Sequence, residues 1–181
     1  MTFSELRLPG VFLIEPERHE DERGFFARTW CAEALAARGL DARIAQCSVS
    51  VSKRAGTLRG MHYQAPPHAE TKLVRCTRGA IHDVVIDLRP ASPTFLQHAT
   101  IALSAEGRAS LYVPAGLAHG FQTLEDDTEV FYQMSVPHAP GHARGIRWDD
   151  PRFAIRWPPA ERTISARDRA YPDFEPEGGA R

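Results

Sequence analysis

The sequence has little cysteine and no long apolar run. Its three cysteines, Cys31, Cys47 and Cys76, form an odd, widely spaced set with no CxxC pair. That argues against a disulfide framework or a zinc ribbon and suits a reducing cytoplasm, the expected location. No window approaches the roughly 18 apolar residues of a membrane-spanning helix. The start, "MTFSELRLPGVFLIEPERHEDERG", lacks the basic stretch and apolar run of a secretory signal. Net charge is almost absent: 22 basic and 23 acidic residues leave −1. No general affinity for nucleic acid or an anionic membrane is therefore expected, and any polyanion must be held locally. Internal repeats are missing, as is a strand–GxGxxG–helix element, so nothing points to a nicotinamide cofactor.

Helical pattern is scarce too. "WCAEALAARG" is the one convincing helix, Ala/Leu-rich and followed by Gly39 as a stop signal. The rest is strands and turns. "LRLPGVFLIEP" is broken by Pro9-Gly10, and "HEDERGFFA" is a charged turn leading into aromatics. From about residue 44 the segments are short and rich in Val, Ile, Thr, Phe and Tyr, as in "TKLVRCTRG", "AIHDVVIDLRP", "HATIALSAEG" and "TEVFYQMSVP". Each ends at Gly, Pro or an acidic turn, the pattern of an all-β sandwich, barrel or jelly roll. With 181 residues a single domain over 1–181 is expected. Its Pro/Gly-rich end, residues 175–181, is expected to fray.

Strand parity proposes which polar side chains share a face. In "LRGMHYQ", His62 shares parity with Leu58, Gly60 and Gln64. Lys72 shares a face with Val74 and Cys76, and Tyr132 with Val130 and Met134. If these mostly apolar faces line one barrel, a histidine, a lysine and a tyrosine converge as base, cation and acid. A lone strand histidine is more often a satisfied core residue, and an inward tyrosine is usually core; an inward lysine needs a partner. Asp83 and Asp87 share parity with Ile81 and Val85, opposite Val84, Ile86 and Leu88. One of those faces is expected to be outside, and Asp87 to be structural. A metal site is the other reading of His62. "YVPAGLAHG" has a cupin-like Pro-x-Gly-x-x-His arrangement ending in His119, and Glu70 could join His62. The position two after His62 is Gln64, however, and Lys72 follows Glu70 by two, where a cation would repel a divalent ion. No metal is expected.

Seven motifs occur in order: "DERGFF", "GTLRGMHYQ", "ETKLVRCTRGAIHDVVIDLRPASPTF", "VPAGLAHGFQTL", "EVFYQMS", "WDDPRFAIRWP" and "ISARD". Together they resemble the dTDP-4-dehydrorhamnose 3,5-epimerase family of sugar-nucleotide epimerases over roughly residues 6 to 174. The resemblance implies a homodimeric, cupin-like jelly roll with a few short helices. It also implies no cofactor, no metal, and a nucleoside-diphosphate 4-keto-6-deoxyhexose as substrate. By motif, His62 matches the catalytic base and Asp168 the carboxylate that pairs with it. Lys72 matches the residue that stabilises an enolate, Tyr132 the general acid, and His119 a further active-site histidine. Arg59 resembles a diphosphate contact; its parity, opposite to His62, places it at the cavity mouth or signals a local irregularity. Arg167 resembles a basic phosphate contact, and Gln46 a residue near the sugar nucleotide. Arg23 and Phe26 resemble nucleotide contacts that reach across from the partner subunit. Three positions depart from the family pattern. Arg28 stands where dTDP-specific members usually carry glutamate, and Ser48 where asparagine is common. His138 stands where many members place a second active-site tyrosine. These leave open the nucleotide, the sugar, and whether carbon 3, carbon 5 or both are inverted. A 3-only epimerase or a ketoisomerase acting on a dTDP-, CDP- or GDP-sugar is the nearest alternative. A metal-dependent cupin enzyme and a non-catalytic sugar-nucleotide binder are more distant.

Overall fold

A computed structural model of the protein describes residues 1–175. Of the tail expected to fray, residues 176–181 lie outside the described residues. The chain forms β1 (Thr2–Glu5), β2 (Phe12–Glu15), β3 (Arg18–Asp21), β4 (Gly24–Ala27), α1 (Ala32–Ala36), β5 (Gln46–Ser52), β6 (Thr57–Gln64) and β7 (Lys72–Arg78). It continues with β8 (Ala80–Asp87), β9 (His98–Ser104), β10 (Ser110–Val113), β11 (Leu117–Thr123) and β12 (Thr128–Met134). Then follow β13 (Ala143–Gly145), β14 (Thr163–Ile164) and α2 (Ala166–Arg169). One sheet has the order β1-β2-β10-β7-β12-β5, and the second β13-β6-β11-β8-β9 with β14 paired on β6. This is the expected all-β, cupin-like jelly-roll sandwich with short helices.

The inward faces of the two sheets meet as predicted by period-2 alternation. Val74 and Cys76 of β7, Ile81 and Val85 of β8, Leu111 of β10, Phe121 of β11 and Val130 of β12 form one buried cluster. Each such side chain contributes about 1.5–3 kcal/mol on leaving water. Helix α1 covers the outer face of the first sheet, burying Leu35 against Ile14, Leu73 and Tyr112. It ends as read from sequence: Gly39 has φ +69°, its amide donates to the Ala36 carbonyl, and the Leu40 amide donates to that of Leu35.

One expectation fails in the second sheet. Neither face of β8 is outside. Val84 and Ile86 are buried in a further cluster with Met61, Ala118, Ile146 and Phe153, on which Trp157 and Phe174 pack. The irregular C-terminal segment supplies most of that cover, and its long loops carry no periodicity that would reveal it.

Asp87 is structural, as expected. It is fully buried and accepts hydrogen bonds from Arg89, Ser92 and Thr94. Burial alone would raise its pKa; these donors outweigh burial and hold it at about 2. Because the folded value lies below the unfolded one, this stabilisation is present above about pH 4 and is lost as the pH falls towards 2. It is worth about 2 kcal/mol. Chemical denaturation of Asp87→Asn should show a protein less stable by about that amount at pH 7, with a shallower loss of stability between pH 4 and 2 than wild type. Equal acid slopes would contradict the assignment.

Candidate active site

A cavity of about 620 Å3 opens between the sheets. Residues of β5, β6, β7, β11 and β12 line it, together with the β14–α2 segment. The local irregularity suspected at Arg59 is present. His119 of β11 pairs with His62 of β6, and Phe121 with Arg59, so the single Gly120 faces both Gly60 and Met61. A Cβ at Gly60 would lie 2.5 Å from the Gly120 Cα, so glycine is what lets the strands approach here. The extra residue shifts the parity. Arg59 and His62 therefore both line the cavity, and the simple alternation that grouped His62 with Leu58 does not hold across the bulge.

His62 Nε2 lies 2.8 Å from Asp168 Oδ1. Asp168 is buried at 5% exposure, and its Oδ2 accepts the Gly60 amide at 3.3 Å. Ser165 caps α2 by accepting the Asp168 amide, which fixes the carboxylate's origin. Burial works to raise the Asp168 pKa; the His62 imidazole and the Gly60 amide outweigh it and keep the carboxyl below its ordinary range. An ionised carboxylate on Nε2 fixes the tautomer that carries its proton there, leaving Nδ1 as the basic nitrogen.

Lys72 stands on the opposite sheet, buried as parity required. Its Nζ pairs with Glu70 at 3.0 Å and donates to the His62 carbonyl at 3.3 Å. An ammonium has three donors, so one remains for the cavity. Glu70, weighed from sequence as a metal ligand, is thus committed to a cation. Among the described residues no group of three or more His, Cys, Asp or Glu could hold a metal ion. Tyr132 packs beside the core cluster and lines the same cavity. Burial first, then the Asp83 carboxylate, push its phenol well above the ordinary value, so it stays protonated. His119 Nε2 lies 3.0 Å from Asp83 Oδ2, with both residues buried, and the His119 ring meets Tyr132 edge-on. Asp83, grouped by parity with Asp87, Ile81 and Val85, was not among the site residues expected from sequence. Its inward parity with Ile81 and Val85 was the available signal, because a buried carboxylate requires a partner.

Arg59 and Arg167 also line the cavity. Neither is ion-paired among the described residues, although Arg59 donates to Ser52 and to the Val51 carbonyl. The remaining expected contacts lie elsewhere in this chain. His138 lines an adjoining hollow of about 210 Å3 that shares His62 and Arg167 with the main cavity. Gln46 is exposed and accepts the His138 amide. Arg23 pairs with Asp21 in the β3–β4 hairpin. Phe26, 67% exposed, faces a different hollow beside Arg28. Of the departures from the family pattern, Ser48 alone reaches the main cavity, opposite Tyr132 in the β5–β12 register.

Fold and cavity define a class: a cupin-like double-sheet protein whose cavity brings an aspartate-paired histidine of one sheet together with a lysine and a tyrosine of the other. The chain belongs to the dTDP-4-dehydrorhamnose 3,5-epimerase family, whose model matches residues 5–176. It is 41% identical over 175 residues to the dTDP-4-dehydrorhamnose 3,5-epimerase of Sinorhizobium fredii, covering 96% of this chain and 90% of that one. Among solved structures it resembles the Bacillus anthracis dTDP-4-dehydrorhamnose 3,5-epimerase, solved with TDP and PPi bound. That TM-score is 0.92, at 39% identity over 96% of this chain and 99% of that one. It also resembles ChmJ, a 3'-monoepimerase from Streptomyces bikiniensis in complex with dTDP-quinovose, with a TM-score of 0.86. There the identity is 37%, covering 93% of this chain and 85% of that one.

Proposed function

We propose that this protein epimerises a nucleoside-diphosphate 4-keto-6-deoxyhexose, of the dTDP-4-dehydro-6-deoxyglucose type, at carbons 3 and 5, as a step of deoxysugar biosynthesis. The observation that carries this reading is His62 held on Asp168 at 2.8 Å in a cavity shared with Lys72 and Tyr132. His62 Nδ1 removes the proton beside the ketone. The Lys72 ammonium meets the charge that develops on the ketone oxygen, a preorganised stabilisation. Tyr132, on the other sheet from His62, returns a proton from the opposite ring face and so inverts the centre. No electron leaves the sugar, so the step needs no redox cofactor. Arg59, Arg167 and His119 line the same cavity, and two guanidinium groups without an ion-pair partner among the described residues suit a diphosphate. A single domain carries this chemistry, in keeping with the match over residues 5–176.

Tyr132→Phe separates the two half-steps. Solvent deuterium should still enter next to the ketone within about tenfold of the wild-type rate, while inversion falls by about 10²-fold. NMR of the recovered sugar reads both; inversion at the wild-type rate would remove Tyr132 from the acid role.

A 3-only epimerase is the second reading, favoured by the similarity to the ChmJ monoepimerase and by His138 beside the cavity that contains His62. Deuterium at carbon 3 without carbon 5 would select it. A panel of dTDP-, CDP- and GDP-linked 4-keto sugars tests whether Arg28 alters the nucleotide preference.

The protein acts as a homodimer in the cytoplasm, its sites completed across subunits. The β3–β4 hairpin pairs with neither large sheet and exposes Phe25 and Phe26, and the edge strand β5 exposes Val49 and Val51. Such apolar surface on a hairpin and an open edge calls for a partner. It supports Arg23 and Phe26 reaching a neighbouring site, with Gln46 and His138 at its rim. Free thiols suit the reducing compartment, and among the described residues no helix is long and apolar enough to cross a membrane. Sedimentation should give a dimer at micromolar concentration; a monomer would contradict the cross-subunit roles.

A further inference from the structure

One hydrogen bond aims an imidazole but does not fix its plane, since the ring can still swing about the Nε2···Oδ1 axis. We infer that Tyr171 is the positioning residue that fixes the plane of His62 and steadies Arg167, an inference that rests on the base and phosphate roles proposed for those two residues. The Tyr171 ring meets His62 edge-on, with centroids 6.0 Å apart and planes at 67°. The Arg167 guanidinium lies over the same ring, 5.7 Å from its centroid. Room for the ring comes from Gly145, which pairs with His62 in the β13–β6 register. A Cβ at Gly145 would collide with the Tyr171 ring.

The ring is also held from behind. The next residues are anchored: the Pro172 carbonyl accepts the Arg147 amide, Asp173 pairs with Arg147, and the Phe174 amide donates to Asp150. One short stretch thus delivers Arg167, Asp168 and Tyr171 around a single imidazole. The Tyr171 hydroxyl is buried without a partner among the described residues. The ring and not the hydroxyl therefore does the positioning.

The test is steady-state epimerisation of the dTDP-linked 4-keto-6-deoxyglucose by Tyr171→Ala, Tyr171→Phe, Gly145→Ala and the Gly145→Ala/Tyr171→Ala double variant. Tyr171→Ala should lower kcat about tenfold, the scale of a small misplacement of a reacting group. Its KM should rise about threefold as Arg167 loses its ring. Tyr171→Phe should restore both constants and melt no lower than wild type. Gly145→Ala should reproduce the kcat loss by displacing the ring, and the double variant should be no slower than Tyr171→Ala alone, since coupled neighbours are not additive. Wild-type constants in Tyr171→Ala would overturn the inference, as would a Tyr171→Phe as slow as Tyr171→Ala or fully additive losses in the double variant. Turnover by the wild-type protein in the same assay reports the proposed reaction itself, so the two readings fail separately.

Discussion

His62→Ala is expected to lower deuterium uptake beside the ketone by about 10⁴-fold, the upper end of what a positioned general base supplies. The expectation rests on position. His62 is the histidine of the cavity whose partner carboxylate is anchored on a separate element, by the Ser165 cap and the Gly60 amide. His119, the other cavity histidine, is fully buried on Asp83 and packs against Tyr132, so it cannot swing over to substitute. Substrate should still bind, because Arg59 and Arg167 are untouched. Loss of exchange with binding retained is the signature; exchange at the wild-type rate in the variant would assign the base elsewhere.

Asp168→Asn should cost about 10²- to 10³-fold in kcat, less than the 10⁴ of a buried hydrolase triad. The reason is exposure. The His62 side chain is 41% exposed, so water can share in stabilising the imidazolium that forms. The amide that replaces the carboxylate offers an NH2 or a neutral oxygen, removing the charge and loosening the choice of tautomer. In wild type the carboxyl lies below its ordinary range, so Asp168 stays ionised through the neutral range and does not shape the pH profile there. Rates measured from pH 6 to 9 check this: a variant within threefold of wild type at every pH would leave Asp168 a purely structural role.

Much of this was legible in the residues, for identifiable reasons. Period-2 alternation placed Lys72 with Val74 and Cys76, and Tyr132 with Val130, because β7 and β12 are regular through those positions. The same rule misplaced His62 relative to Arg59, since a bulge opposite Gly120 resets the count. The hints were Gly60 and Gly120, as glycines that allow two strands to approach closely, and the conflict between the parity of Arg59 and the contact its motif implied. Lys72 was flagged because a buried ammonium needs a partner, and Glu70 proved to be that partner instead of a metal ligand.

Other parts could not be read from local pattern. Asp168 lies 106 residues from His62, and only the ordered motifs pointed to it. The cover over Val84 and Ile86 comes from loops without periodicity, so β8 reads as half-exposed when it is buried on both faces. Tyr171 carried no signal at all: its place depends on a glycine 26 residues upstream that pairs with His62. Arg23 and Phe26 belong to the β3–β4 hairpin, which among the described residues pairs with neither large sheet, so strand pattern alone does not place them at a site.

Proton transfer to and from the carbons beside a ketone, by side chains of this cavity, is the proposed activity. Its most direct measurement is NMR of the dTDP-linked 4-keto-6-deoxyglucose incubated in D2O with the wild-type protein, without added cofactor. Deuterium at carbons 3 and 5, with inverted product, is the predicted result. Tight binding of the sugar nucleotide with no deuterium at either carbon would contradict it.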